Sequence, residues 1–64
     1  MKNNKLKSLR ALHGMTQKDL ADEVGVSRQT IYAIEKGEYN PTLDLCIKIC
    51  KVFNVTLDEL FWEG

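Results

Sequence analysis

The chain is poor in residues that constrain or cross-link a backbone: its 64 residues include one proline, two cysteines and four glycines. Long apolar runs are also missing, since the longest is the four residues from Ile31 to Ile34. A membrane-spanning helix needs about 20 apolar residues and a secretory signal about 7–15, and the N-terminal segment MKNNK is polar. We therefore expect no membrane partner, no signal peptide and a cytoplasmic protein.

Residues of catalytic chemistry form no recognisable group in the sequence. There is no paired nucleophile and base, no cluster of metal ligands and no glycine-rich loop of the kind that holds phosphates. The single histidine, His13, has no acidic or cysteine cluster around it in the sequence. A length of 64 residues without linker or repeat is that of one domain. We expect a single domain over residues 1–64, no enzyme, no cofactor and no small-molecule ligand.

The two cysteines, Cys46 and Cys50, lie four residues apart in the segment LDLCIKICKVF, on a predicted helical face shared with Leu43, Ile49 and Phe53. Two cysteines are too few for a zinc site unless other ligands join them, and their spacing within a helix is poorly suited to a disulfide. We expect both thiols to be reduced and buried as small hydrophobic side chains, with no metal site.

The segment from Thr16 to Gly37 has the signals of two short amphipathic helices joined by a tight turn. Thr16 is suited to cap the first helix, because Asp19 follows three residues later. The inward face of this helix consists of Leu20, Ala21 and Val24. Gly25 follows at once and can take the left-handed conformation that ends a helix.

The second helix begins after a turn of about three residues, and Ser27 is suited to be its N-cap. Its inward stripe consists of Ile31, Ile34 and Glu35. Helix, short glycine turn and helix form the helix-turn-helix motif, whose second helix enters the major groove of DNA. The sequence thus predicts DNA binding through a motif at about residues 16–37.

Three further helices are predicted outside the motif. Apolar spacing favours a first helix over roughly residues 4–13, and Thr42 is suited to cap a fourth that extends to about Phe53. Thr56 and Glu59 form a capping box for a last short helix, LDELF. The predicted fold is therefore all-α, with five helices and no strand.

The formal net charge of zero argues against the strongly basic surface expected of a nucleic-acid-binding protein. The charges are unevenly distributed, however: residues 1–36 have a balance of +3 and residues 37–64 a balance of −3. One interpretation is a dipolar protein with no implied partner. We favour the other, in which the basic half, which contains the recognition helix, faces the phosphates of DNA.

The chain resembles the Cro/C1-type (xenobiotic-response-element, XRE) helix-turn-helix family of phage repressors and bacterial regulators. That family has a small residue early in its first motif helix, a glycine in the turn and branched apolar residues in the second helix. Those places are occupied here by Ala21, Gly25, Ile31 and Ile34. The flanking segments LKSLRALHGMTQ and NPTLDLCIKICKVFNVTLDELF are also similar, so the resemblance covers residues 6–61. It implies a compact five-helix bundle, a lambda-repressor-like DNA-binding domain.

Arg10 and Glu35 both lie at predicted inward positions, where a hydrophobic side chain would be less costly than a charge. A desolvated arginine needs a partner, and its planar guanidinium suits a carboxylate. The family resemblance implies that the matching residues form an ion pair between the first helix and the recognition helix. The alternative is two independent surface charges.

The outward face of the second motif helix carries the candidate base-reading residues. Glutamine can bond adenine through two hydrogen bonds, arginine can bond guanine, and an alanine methyl can contact a thymine methyl. A tyrosine can instead lie along the DNA backbone or pack against the following loop. We expect base contacts from Arg28, Gln29, Tyr32 and Ala33.

Gln17 is polar at a helical angle otherwise occupied by apolar residues, and it lies in the first turn of its helix. Free amides and the helix dipole favour anions there, and the family resemblance implies that this glutamine helps to bind a phosphate. Further phosphate contacts are expected from Lys18, Ser27, Thr30, Lys36 and Asn40. For Thr30 and Lys36, an ordinary solvated helix face is an equal alternative.

A module of this size contacts few bases, so specificity normally requires two copies on a pseudo-palindromic site. Apolar residues near the C-terminus offer a candidate homodimer interface. It consists of Leu45, Val52, Leu57, Leu60, Phe61 and Trp62. The alternative is that Phe61 and Trp62 complete a small core.

These observations predict a homodimeric regulator of transcription, a repressor rather than an activator, that binds a double-stranded DNA operator. The alternative function is a protein-interaction module of the same fold, such as the antitoxin of a toxin–antitoxin pair. In that case the acidic half would bind another protein.

Overall fold

The computed structural model describes residues 4–61, which contain α-helices and no strand. The helices are α1 (Asn4–Leu12), α2 (Gln17–Val24), α3 (Arg28–Lys36), α4 (Leu43–Phe53) and α5 (Leu57–Phe61). The predicted all-α, five-helix architecture is confirmed, with α1 ending one residue earlier than expected. The candidate interface residue Trp62 lies outside the described residues.

The corner between α1 and α2 is closed by the backbone and by a capping box. The N–H of Met15 donates to the carbonyl of Arg10 at 2.8 Å. Thr16 Oγ1 then accepts a hydrogen bond from the Asp19 N–H, and the Asp19 carboxylate accepts one from the Thr16 N–H, each at 3.0 Å. The bond from the Thr16 backbone lowers the pKa of the Asp19 carboxyl. These bonds satisfy amides that α2 leaves free and fix where the helix begins.

The turn between α2 and α3 consists of Gly25, Val26 and Ser27. Gly25 has φ +77° and donates its N–H to the carbonyl of Ala21 at 2.9 Å, and Val26 donates to the same carbonyl at 3.0 Å. Ser27 Oγ caps α3 by accepting a hydrogen bond from the Thr30 N–H at 3.3 Å. A turn this short and this fully bonded sets the angle between the two helices, because it leaves few free torsions.

The second half of the chain begins and ends its helices with the same local chemistry. Thr42 Oγ1 caps α4 by accepting from the Leu45 N–H at 3.2 Å, and Asn54 ends that helix with φ +56°. Thr56 and Glu59 form the predicted capping box of α5, with hydrogen bonds of 2.9 and 3.2 Å. All of these boundaries agree with the sequence-based expectations.

The hydrophobic core receives at least one fully buried side chain from each helix. The most deeply buried are Leu6, Leu20, Ile31, Ile49 and Leu60. Burying a side chain of this size contributes roughly 1.5–3 kcal/mol. Because Leu20 of α2 and Ile31 of α3 are both in this core, each helix of the motif packs against it with one face.

Two expectations about α4 and α5 are wrong. Leu45 and Leu60, expected at a dimer interface, are 7% and 1% exposed and belong to the core of this chain. Leu43, expected on the inner face of α4, is 65% exposed. Because α4 packs against both α2 and α5, the stripe at i, i+4 and i+8 turns inward, and Leu45 rather than Leu43 starts that stripe.

Cys50 is buried and Cys46 is half-buried, and both are free thiols. Burial raises the pKa of both, which keeps them protonated at neutral pH. Within residues 4–61, no three His, Cys, Asp or Glu side chains lie together in a way that could hold a metal ion. No helix in the same range is long and apolar enough to cross a membrane.

Candidate nucleic-acid interface

The ion pair expected between Arg10 and Glu35 is present and joins α1 to α3. Arg10 Nε donates to Glu35 Oε2 at 2.7 Å and Nη2 donates to Oε1 at 3.1 Å, while Nη1 donates to the Met15 carbonyl at 3.0 Å. The two side chains are 13% and 8% exposed. A two-point bond between a planar guanidinium and a carboxylate is directional, so it fixes the rotation of α3 about its own axis.

Gln17 joins the same carboxylate from α2. Its Nε2 donates to Glu35 Oε1 at 3.2 Å. A glutamine amide has two N–H groups, so one remains for another acceptor. Glu35 therefore connects α1, α2 and α3. The sequence predicted its contact with Arg10 but not its contact with Gln17.

The face of α3 that points away from the core is the candidate base-reading surface. Arg28, Gln29 and Tyr32 are exposed, and Ala33 is half-buried. Ile31 and Ile34, on the opposite side, are buried. The helix thus has one side fixed in the core and the other open to a partner, although Ala33 presents less surface than its helical position suggested.

Tyr32 and Lys36 lie together one turn apart on α3. The Lys36 Nζ is 5.1 Å from the centroid of the Tyr32 ring, and it is 3.8 Å from Glu38 Oε2. The Tyr32 side chain and, after it, the Glu38 carboxylate raise the pKa of Lys36. The cation over the ring restrains Tyr32 alongside α3.

The remaining candidate phosphate ligands lie on the surface. Lys18 is exposed and its Nζ contacts Asp22 Oδ2 at 2.9 Å, an i to i+4 pair of the kind that contributes little stability. Ser27 Oγ and Thr30 Oγ1 are 3.0 Å apart and bond each other. Asn40 is exposed in the loop before α4. Of these side chains, Thr30 is half-buried and the others are open to solvent.

A cleft of about 310 Å³ opens beside this surface, between α1 and α3. Its lining consists of Asn4, Lys7, Arg10, Gln17, Tyr32, Glu35 and Lys36. Asn4 and Lys7 were not singled out from the sequence. The spacing of Lys7 and Arg10 could have indicated this position for Lys7, because residues three apart on a helix share a face. Once Arg10 is expected to contact Glu35 of α3, Lys7 is expected on the side of α1 that faces α3.

The apolar residues expected at a dimer interface are not all at the surface. Leu57 is 37% exposed, and Val52 and Phe61 are half-buried against the core. Leu45 and Leu60 are excluded by their burial, as described above. Of the residues predicted for the interface, Val52, Leu57 and Phe61 therefore remain as a smaller apolar surface on α4 and α5.

This fold and this surface define a helix-turn-helix protein with an outward-facing second helix. A model of the helix-turn-helix family matches residues 6–60. The chain therefore belongs to the helix-turn-helix family, in its XRE or Cro/C1 type, whose members are DNA-binding transcriptional regulators and not enzymes.

Individual proteins of this family are similar over nearly the full chain. An uncharacterised HTH-type transcriptional regulator of Methanocaldococcus jannaschii is 60% identical over 58 residues, covering 91% of this chain and 88% of the relative. The uncharacterised HTH-type transcriptional regulator YgzD of Bacillus subtilis is 52% identical over 59 residues, covering 92% and 89%. The crystal structure of the restriction-modification controller protein C.AhdI of Aeromonas hydrophila superposes with a TM-score of 0.80 at 30% identity, covering 88% of this chain and 85% of that one.

Proposed function

We propose that the protein is a sequence-specific regulator of transcription that inserts α3 into the major groove of double-stranded DNA. The observation that carries this proposal is the two-sided character of α3: Ile31 and Ile34 are buried, whereas Arg28 and Gln29 are exposed. A helix fixed on one side can present hydrogen-bonding side chains on the other without having to order its backbone at the moment of binding.

The base contacts follow from the chemistry of that exposed face. Gln29 bonds an adenine through its amide, and Arg28, in the first turn, reaches a guanine or a phosphate. Ala33 contacts a thymine methyl, with the smaller surface that its partial burial leaves. Tyr32, held beside Lys36, contacts either a base edge or the sugar-phosphate backbone.

Phosphate contacts surround α3 and fix its register in the groove. Gln17 uses the amide N–H that it does not donate to Glu35, and Lys18 exchanges its exposed pairing with Asp22 for a phosphate. The other proposed ligands are Ser27, Thr30, Lys36 and Asn40. Such contacts supply affinity and orientation without reading sequence.

The protein acts as a homodimer on a pseudo-palindromic operator. What supports the dimer is the apolar surface at Val52, Leu57 and Phe61, together with the small number of bases that one copy of α3 reaches. We further propose that the bound dimer represses transcription by occluding a promoter, in the cytoplasm.

Selection of bound duplexes from a random DNA pool at near-physiological salt tests this function. The expected product is a half-site repeated with two-fold symmetry, with centres about 34 Å apart or a multiple of it. Affinity for it should fall with salt by about one unit of log–log slope per phosphate contact. Absence of any enriched sequence, together with salt-insensitive binding of a protein partner, would instead favour the antitoxin-like alternative.

Transcription in vitro from a promoter that overlaps the selected operator tests the sign of regulation. We expect transcript to decrease as operator occupancy increases, because bound protein blocks polymerase. An increase in transcript with occupancy would show activation and contradict the repressor proposal while leaving DNA recognition intact.

A further inference from the structure

The cleft between α1 and α3 brings together side chains from three helices that are distant in sequence. α1 contributes Asn4 and Lys7, α2 contributes Gln17, and α3 contributes Tyr32 and Lys36. The floor includes the ion-paired Arg10 and Glu35. Three of these residues, Gln17, Tyr32 and Lys36, already belong to the proposed DNA-facing surface, so the cleft is continuous with it.

The charges in this cleft do not cancel. Arg10 and Glu35 neutralise each other through their two-point bond, which leaves the ammonium groups of Lys7 and Lys36. Lys36 has a weak, exposed contact with Glu38 at 3.8 Å, and within residues 4–61 Lys7 has no ion pair. The cleft is therefore an electropositive concavity, and its walls offer an anion two positive charges.

The hydrogen-bonding groups of the cleft also favour an anion with several oxygen atoms. Lysine ammonium groups have three N–H donors and no acceptor, and the Gln17 amide has one N–H beyond the one donated to Glu35. Three hydrogen bonds from Arg10 and Gln17 already use most of the acceptor capacity of the Glu35 carboxylate, which leaves little of it for a cationic ligand. A volume of about 310 Å³ admits a phosphate group with part of its hydration.

We propose that this cleft binds a phosphate of the DNA backbone and that Lys7 is a phosphate ligand. The inference rests on the proposed function and extends it: the DNA-contacting surface reaches beyond the helix-turn-helix motif onto α1. Lys7 and Lys36 then approach one phosphate from α1 and α3, while Gln17 donates from α2. The ion pair beneath them, together with the hydrogen bond from Gln17 to Glu35, holds the three helices at the spacing that this requires.

The test compares Lys7→Ala with Lys48→Ala, which removes the same charge from the exposed surface of α4. Dissociation constants for the selected duplex are measured by fluorescence anisotropy between about 50 and 200 mM salt. Losing one phosphate contact should weaken binding roughly fivefold to tenfold at about 0.1 M salt and lower the log–log slope by about one unit. Lys48→Ala should change both quantities much less, and the thermal midpoints of both variants should match that of the parent protein.

Neutral methylphosphonate linkages, placed one at a time in the duplex, identify the phosphate. At one position the substitution should weaken duplex binding by the parent protein but leave binding by Lys7→Ala nearly unaffected, because the variant has already lost that contact.

Inorganic phosphate added at constant ionic strength distinguishes a general phosphate site from one that needs DNA. Competition with duplex by millimolar phosphate that disappears in Lys7→Ala would show that the cleft also binds the free anion.

The outcomes separate this inference from the function on which it rests. If Lys7→Ala and Lys48→Ala are equivalent while Gln17→Ala weakens binding, the cleft proposal is overturned and DNA recognition stands. The same conclusion follows if no methylphosphonate position is coupled to Lys7. If the parent protein itself binds no duplex at any salt concentration tested, the proposed function fails, and the cleft proposal fails with it.

Discussion

The two halves of this molecule share one apolar core, but they differ in the polar contacts that join their helices. In α1–α3, Glu35 accepts directional hydrogen bonds from Arg10 and Gln17, residues 25 and 18 positions away in the chain. In α4 and α5, the main contacts across helices are apolar, through buried side chains such as Ile49 and Leu60. Apolar packing stabilises without fixing orientation strongly, whereas a two-point ion pair fixes rotation. The first half therefore adds directional contacts that orient α3 to the apolar packing that both halves share.

The charge difference between the halves fits this division. Residues 1–36 have a balance of +3 and residues 37–64 a balance of −3. An acidic half that faces away from DNA avoids repulsion, and the resulting dipole orients the protein as it approaches a polyanion. A net charge of zero is therefore compatible with phosphate binding on one side.

The largest expected effect comes from removing a core side chain that the second half contributes. Ile49→Ala should lower the free energy of unfolding by about 4 kcal/mol, because Ile49 is fully buried and its loss leaves a cavity. Leu43→Ala on the same helix, at 65% exposure, should cost less than about 0.5 kcal/mol. Urea denaturation followed by circular dichroism measures both. Equal losses would contradict the observed orientation of α4, and Ile49→Val, at about 1 kcal/mol, keeps the comparison measurable if the alanine variant unfolds.

A slightly smaller loss is expected from breaking the ion pair of the first half. Glu35→Ala should cost about 3 kcal/mol, because it leaves Arg10 buried without a partner. Glu38→Ala, which removes an exposed carboxylate two residues after α3, is the matched control and should have little effect. The double variant Arg10→Met, Glu35→Leu should recover most of the stability. A loss for Glu35→Ala no larger than that of the control would show that the pair is effectively solvated.

Within the first half, base reading and phosphate binding can be separated. Gln29→Ala should relax the preference at one base position, with a loss of discrimination of about 1–3 kcal/mol. Lys18→Ala should weaken all duplexes alike and lower the salt slope by about one unit. Binding to a panel of single-base variants of the selected operator measures both effects. A uniform loss for Gln29→Ala would contradict its assignment as a base-reading residue.

The smallest effect concerns the apolar surface of the second half. Leu57→Glu places a charge on an exposed position of α5 and should weaken binding to the full operator about tenfold while leaving a single half-site unaffected. Leu12→Glu, the same change on the exposed end of α1, controls for added negative charge. Sedimentation equilibrium should show dissociation for the first variant alone. If the two variants sediment with the same molecular mass and bind the full operator with the same affinity, Leu57 is excluded from a dimer interface.

The helix boundaries were predictable because they depend on residues close in sequence. Thr16 and Ser27 cap α2 and α3, and Gly25 takes the positive φ that ends α2, each where the sequence indicated. A cap needs a side chain within about three residues of the amide that it satisfies. Such contacts are encoded within a few neighbouring residues, so predicting them needs no knowledge of how the helices pack.

The inward face of α4 and the cleft at Lys7 were not predictable in the same way. α4 has apolar residues on several faces, so Leu43 and Leu45 compete for the inside on equal terms until α2 and α5 are present. The bond from Gln17 to Glu35 and the proximity of Lys7 to Lys36 likewise depend on the relative placement of three helices. No pattern within one helix contains that information.

The sequence by itself determined where each helix begins and ends and, through its similarity to a family, that Arg10 and Glu35 meet. Both follow from short-range chemistry or from residues matched one by one. Tertiary structure alone decided that Leu45 and Leu60 enter the core, that Gln17 is bound to Glu35, and that α1 borders the proposed DNA-facing surface. Those outcomes depend on the relative placement of helices that are far apart in the chain, and that placement exists only once the helices pack.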